Sequence, residues 1–447
     1  MATRAQQLYT GNSLLDDAFR LAVWTLDTNT HHGIIHAGGG YGGEWTRDCA
    51  INCWNAASLL RPHVAECSLW SVTDDSLLIG HQYWDKIIWT LAAWNHYLLT
   101  GDTLFLHKSF ACAARTMAAL ESICFNSARG LFMGPAVFQD GIAGYDEPVY
   151  DPRKWDDSYV LHHPHSDSIL CLSTNALYYQ SYRTLASMAG QCGRCDLERI
   201  YQHKARLLRK AFRRTFLQPD GTLLYLIDHQ GRGHAYQEGL GVAFTMLFDL
   251  LTPAESQRLL QHLYVSPHGI PCVYPSFPRN TPDRPGRHNM MIWPHVNMFF
   301  ASACAHQGTF APFYFEMKNL ADLAINRGGG NFYEIYTLDG EPSGGWQCGA
   351  LWDKKEHQTW CATGFLRLFV NHVFGITPMP DGLELNPIGM EDGTECTLSH
   401  FRYRDADITI VVRGHGDRVK RCLLNGRPSR PFIPADTKGT VLVEIQL

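Results

Sequence analysis

The 447-residue chain is 45% hydrophobic and 18% charged, the composition of a globular protein with a large core, which excludes a disordered or fibrous chain. Its 43 acidic and 38 basic residues leave a net charge of −5, spread without blocks, so neither a basic nucleic-acid surface nor a polybasic membrane patch is expected. No stretch approaches the ~20 continuous apolar residues of a membrane span, and residues 1–10 lack the features of a secretion leader, so a cytoplasmic location is expected.

In chain order, apolar periodicity predicts helices at 14–26, 49–60, 83–99 and 103–125, with Gly101 as a C-terminal stop between the last two. A Gly-rich loop covers 36–43. A long stretch rich in Pro and Asp, without periodicity, spans 130–168. Helical patterns resume at 169–188, 196–216, 238–251 and 253–263. A second long loop, 265–291, is rich in Pro, Gly and Arg. Helices return at 294–306, 312–326 and 357–374. Eleven or twelve helices in antiparallel hairpins fit a ring of six, a mainly-α (α/α)6 barrel whose long loops form a cleft at one end. After residue 374 the pattern changes to short strands near 381–385, 408–412, 421–424 and 441–445, with turn signals such as Asn425-Gly426. Two domains are therefore expected, a catalytic barrel over 1–375 and a small β-sandwich-like cap over 376–447.

The long loops carry the chemistry. Gly144-Tyr145-Asp146-Glu147-Pro148-Val149-Tyr150-Asp151 embeds a carboxylate among aromatics, and Phe332-Tyr333-Glu334-Ile335-Tyr336 does so again far downstream. One acid and one base on opposite faces of a ring is what cleavage between sugars needs, and aromatic rings suit a sugar's apolar faces. Asp146 is the expected proton donor, with an Asx-turn aspartate as the plain alternative. Glu334 is the expected base that activates water; inversion would place the two carboxyls about 6.5–9.5 Å apart. Glu341 is its main rival and Glu356 a weaker one. Arg47 and Asp48 are read as a clamp on sugar hydroxyls, or as an ion pair at a helix start. Trp45, Trp84, Trp155, Trp293, Trp346 and Trp360 are candidate sugar platforms, with Trp45 and Trp293 favoured, whereas Trp89 and Trp94 read as core.

Other clusters read as structural. The 14 cysteines are scattered through apolar contexts, which fits reduced buried thiols, and Cys192-Gly-Arg-Cys195 is a lone CxxC. His162-His163-Pro-His165-Ser-Asp167 matches no common zinc spacing and reads as a solvent-facing loop, so no metal is expected. Asp156 and Asp157 form an alternative acid position. Glu238 opens a helix and could reach the cleft.

Six segments in order resemble the inverting six-hairpin glycosidases of the trehalase and processing α-glucosidase I clan (glycoside hydrolase families 63 and 37), including mannosylglycerate-hydrolase-like enzymes. They are Trp45-Thr46-Arg47-Asp48, the Asp146 run, Ser173-Thr174-Asn175-Ala176-Leu177, Trp293-Pro294-His295-Val296-Asn297, the Glu334 run with Gly340-Glu341-Pro342, and Gln358-Thr359-Trp360. The resemblance implies an exo-acting, inverting α-glycosidase acting on a glucoside or small glucose-containing oligosaccharide. It implies Asp146 as acid and Glu334 as base, without a cofactor. Trp45, Arg47, Asp48, Tyr145, Asn175, Trp293, Glu341 and Trp360 then bind substrate. Two rivals share the ring: a sugar epimerase using His288, His295 and His357, and a non-catalytic carbohydrate-binding protein.

Overall fold

The computed structural model describes residues 6–146 and 158–447. Among these residues, twelve helices of seven residues or more alternate between an outer and an inner ring. The outer helices are α1 (Ser13–Thr28), α3 (Pro62–Ser71), α5 (Thr103–Cys124), α7 (Cys195–Phe216), α9 (Pro253–His262) and α11 (Phe310–Asp322). The inner helices are α2 (Thr46–Asn52), α4 (Ile88–Thr100), α6 (Leu172–Gln191), α8 (Gly239–Leu247), α10 (Pro294–His306) and α12 (Thr359–Arg367). Each inner helix contacts the next, and α12 returns to α2, so the ring closes into an (α/α)6 toroid.

The sequence dictates which ring a helix joins. On α7, Tyr201, Ala205, Leu208, Phe212 and Phe216 recur every three or four residues and are buried, while Arg and Lys occupy the other face. Every residue of α2 and α12 is buried, which suits a helix surrounded by neighbours. Local signals set the ends. Gly101 adopts the left-handed conformation (φ 73°) after α4. Asp102 caps α5 by accepting from the Phe105 N–H, and Thr252 and Glu255 form a reciprocal capping box at α9, with Pro253 in its first turn.

Helix α3 has no counterpart in the apolar periodicity of the sequence. That helix buries only Ala65, Ser68 and Leu69, too narrow a stripe to register as a period. Inner helices α2 and α12, and outer α11, each run into a π-helical turn, at Cys53–Ala57, Leu368–Val373 and Leu323–Arg327.

Nine strands build the β region: β1 (Gln7–Tyr9), β2 (Ile376–Met379), β3 (Gly382–Leu385), β4 (Cys396–Tyr403), β5 (Asp405–Arg413), β6 (Arg421–Leu424), β7 (Arg427–Pro428), β8 (Phe432–Pro434) and β9 (Lys438–Gln446). They form a six-stranded sheet in the order β1-β4-β5-β9-β6-β7 and a three-stranded sheet β2-β3-β8. The strand β1 comes from the N-terminal segment, so the cap sheet draws on both ends of the described chain. Strands β5 and β9 pair in parallel, and their inward residues Ile408, Ile410, Val412, Val441, Val443 and Ile445 alternate with more exposed ones.

Two buried carboxyls lie within the helical layers. Glu238 precedes α8 and accepts from the Ser173 N–H at 3.1 Å. Glu316 on α11 accepts from the Ile270 N–H at 2.9 Å and from Asn297 at 3.0 Å. Burial raises both to about 8, against the hydrogen bonds they accept. Their folded-state affinity for protons exceeds that of the unfolded chain, so each withdraws stability as pH rises toward 8. The buried neutral His96, lowered to about 4, and His372, lowered further, act oppositely, but only below the ordinary histidine range. Stability should therefore fall between pH 6.5 and about 8, with a slope approaching about 1.4 kcal/mol per pH unit for each group. Denaturant titrations across this window check it: the Glu238→Gln/Glu316→Gln variant should show a flatter dependence than the parent.

Candidate active site

The cleft sits at the end of the barrel where α2, α10 and α12 begin. Trp45 is the N-cap of α2, Trp293 the N-cap of α10, and Trp360 lies in the first turn of α12. Together with Phe138 and Trp352 they form the aromatic wall of an open cavity of ≈ 690 Å³, counting the space at its mouth. Among the described residues three carboxylates face into it, Asp48, Asp140 and Glu334, with Arg47 and Arg287 beside them.

Arg47 organises one side. It donates to Gln82 at 2.6 Å and to Asp140 Oδ2 at 3.1 Å, and it lies 3.6 Å from Asp48 and 3.9 Å from Asp85. Three carboxyls thus share one guanidinium. Burial dominates at Asp48 and Asp85 and pushes each up to about 7, against the pull of Arg47. At Asp140, burial is outweighed by Arg47, the Gln82 hydrogen bond, His288 and Arg287, which together hold the carboxyl below its ordinary range. Asp140 is also the most open of the three pocket carboxylates, with a side chain 27% exposed against 6% for Asp48 and 5% for Glu334.

The other side is built around Glu334. Its Oε2 accepts from Arg287 at 2.7 Å and from the Tyr41 hydroxyl at 2.9 Å, and Arg287 also donates to the Tyr41 oxygen at 2.7 Å. Burial opposes ionisation here, but Arg287 and His288 outweigh it and hold Glu334 well below the usual carboxylate range. Arg287 is fixed in turn by the Gly344 carbonyl at 2.8 Å. Gly345 makes this approach possible: its φ is +70°, and a Cβ there would lie 2.7 Å from the Arg287 Cα. Phe138 and His288 also hold positive φ (65° and 58°), so strained backbone gathers at the cavity.

The structure brings Trp45, Arg47, Asp48, His288, Trp293, Glu334 and Trp360 together around the cavity. Asp146 does not line the cavity; its carboxylate lies 3.5 Å from His234 Nδ1, whose Nε2 is 3.1 Å from Asp228. Tyr145 is core: it is fully buried, stacks on Tyr225 and hydrogen-bonds through its hydroxyl to the Gln139 carbonyl. Asn175 is a structural pin, committed to the Phe132 N–H and to the Phe132 and Cys171 carbonyls. Glu341 is a surface residue, 67% exposed and 3.4 Å from Arg327. Glu356 is also exposed.

Glu238 packs behind the cavity rather than in it, and Trp84 is core. The expected solvent-facing histidine loop contains a buried residue, His163. Trp155, Asp156 and Asp157 lie outside the described residues. Among the described residues no cluster of His, Cys, Asp and Glu could hold a metal, and no helix is long and apolar enough to cross a membrane.

Tyr41, Asp140, Arg287, Gln347 and Trp352 also line the cavity and are not among the residues expected from the sequence. Asp140 stood six residues before the chosen aspartate in the same non-periodic loop, and Arg287 lay in the second long loop. Function-bearing loops of that length were the available signal.

The fold is a closed six-hairpin ring with carboxylates in an aromatic-walled pocket at one end. Residues 85–361 match the sequence profile described as the mannosylglycerate hydrolase MGH1-like glycoside hydrolase domain, and the chain belongs to that family. Among solved structures, a sialidase is similar at 15% identity with a TM-score of 0.70, matching 95% of this chain and 40% of its own. This chain thus spans about two fifths of that protein's length. The GH63 mannosylglycerate hydrolase from Thermus thermophilus in complex with glucose is 15% identical, with a TM-score of 0.63 over 79% of this chain and 99% of that one. A rhamnosidase from Klebsiella oxytoca with rhamnose bound is 13% identical, with a TM-score of 0.60 over 83% and 65%. No protein of curated function matches the chain.

Proposed function

We propose that the chain is an inverting, exo-acting α-glycosidase that removes a terminal glucosyl-type residue from a small glycoside. The observation that carries this reading is the saturation of one oxygen of Glu334. Arg287 and Tyr41 occupy Oε2, so Oε1 remains to take a proton from an attacking water. Arg287 and His288 keep this carboxylate in the ionised form that a base requires, while the same contacts weaken its pull on a proton.

The donor must stand where the leaving group departs, at the mouth of a blind pocket. Of the described pocket carboxylates Asp140 is the most exposed, and it takes the place in the reading that the sequence suggested for Asp146. Its neighbours Asp48 and Asp85, near 7, keep a proton within the Arg47 cluster around neutrality. Arg47 and its neighbours favour the ionised form of Asp140, and a terminal sugar that displaces solvent from it adds to the burial that opposes them. Asp48 and Arg47 hold hydroxyls, and the tryptophans cover the ring faces. Both pocket guanidiniums are committed to carboxylates, which favours an uncharged terminal sugar over an acidic one. A relative that binds glucose in the same fold supports the choice of sugar.

The test is a panel of α-linked disaccharides and aryl α-glycosides with two variants. Asp140→Asn should lose about 10²–10⁴-fold in kcat on disaccharides and far less on dinitrophenyl glycosides, whose leaving group needs no proton. Asp146→Asn should stay close to the parent on both. The reverse pattern would return the acid role to Asp146.

A further inference from the structure

We infer that His288 is a positioning residue for the base, one that takes a lone pair of Glu334 Oε1 when sugar fills the pocket and leaves a single direction open for water. The inference rests on the reading of Glu334 as the base. A carboxylate offers about four lone-pair sites. Arg287 and Tyr41 occupy the two on Oε2. A base with both sites of Oε1 free could engage water from two directions, and only one of them leads to the anomeric carbon.

His288 Nε2 lies 3.8 Å from Oε1, beyond hydrogen-bond reach by less than 1 Å. Among the described residues neither ring nitrogen of His288 has a hydrogen-bond partner, although the residue is only 4% exposed. A buried imidazole with two uncommitted nitrogens is costly unless another state of the protein satisfies it. The ring is also aimed. It stacks on Trp293 with centroids 4.0 Å apart and planes 15° apart, and Trp293 lines the same cavity. Its backbone sits at φ 58°, a conformation most side chains avoid, next to Arg287, which grips the other carboxylate oxygen. Two consecutive residues of one loop thus face the two oxygens of one carboxylate. A sugar pressing on Trp293 pushes the stacked imidazole, and a shift below 1 Å brings Nε2–H onto Oε1.

The experiment compares His288→Gln, which keeps an N–H donor close to the position of Nε2, with His288→Leu, which does not. Both lose the stacking and carry the same backbone strain, so their difference reads the donor alone. Both are assayed on whichever aryl glycoside the wild type hydrolyses. His288→Leu should lose about 10²-fold in kcat with KM within threefold, and His288→Gln should recover most of that loss. Equal kcat values for the two variants, or a loss confined to KM, would overturn the inference. A crystal structure of the wild-type protein with D-glucose is independent of variant folding: it should show Nε2 within 3.2 Å of Oε1, and an unchanged gap of 3.8 Å would overturn the role. A wild type that hydrolyses no glycoside in the panel would instead remove the reading of Glu334 on which the inference stands.

Discussion

Glu334→Gln should lower kcat by about 10²–10⁴-fold while leaving KM close to the parent value. The amide oxygen can still accept from Arg287 and Tyr41, so the side chain keeps its place. What it loses is the ability to take a proton from water. Because the sugar meets the same walls, its binding should change little, and the loss should appear in the chemical step. The substitution also leaves Arg287 as a buried cation without its counter-charge, worth at most about 3–5 kcal/mol of stability. The melting temperature should therefore fall although the protein remains folded. Steady-state kinetics on the best aryl glycoside, beside a thermal melt, checks both parts. A variant with parental kcat would remove Glu334 from the chemistry.

Arg47→Leu should be the most damaging substitution for stability around neutrality. Three carboxyls, Asp48, Asp85 and Asp140, depend on this one guanidinium. Removing it leaves like charges in a buried site, at a cost of about 3–5 kcal/mol. The cost has a pH signature. Without Arg47 all three carboxyls bind protons more tightly, and acidification neutralises them, so the penalty should shrink as pH falls from 8 to 5. Asp85→Asn is the matched control. Among the described residues neither Asp85 oxygen has a hydrogen-bond partner, and burial holds the carboxyl near 7, so a neutral side chain there should cost little at pH 8. Chemical denaturation of both variants at the two pH values checks the account. An Arg47→Leu penalty independent of pH would mean that packing, not charge, is what Arg47 supplies.

The helical ring was legible because its outer helices write their burial into the sequence. Alternating apolar and basic residues on α7 mark an outer face, and Gly101 and Thr252-Pro253 mark ends. The short helix α3 was not legible, since three buried residues make no period. Strand β1 was hidden because pairing between residues 7–9 and 397–399 is a tertiary event with no local signal. At the site, Glu334, Arg47, Asp48 and three tryptophans stood in recognisable company. The choice between Asp140 and Asp146 did not, because loop path rather than residue type decides which aspartate faces the cavity. Tyr145 and Asn175 stand in segments whose resemblance to the clan implies ligand contact, but their polar atoms are spent on backbone groups. Tyr41 and Arg287 were invisible for the opposite reason: 246 residues separate them, and only the folded barrel puts them on one carboxylate oxygen.

The central claim is direct attack by a water held at Glu334, with no covalent sugar intermediate. Proton NMR of the first sugar released from an α-glycoside reads this claim at the anomeric carbon. The account predicts that the β-anomer appears first and that the α-anomer grows in only by mutarotation. Initial release of the α-anomer would contradict it, since retention requires a carboxylate to attack the sugar itself.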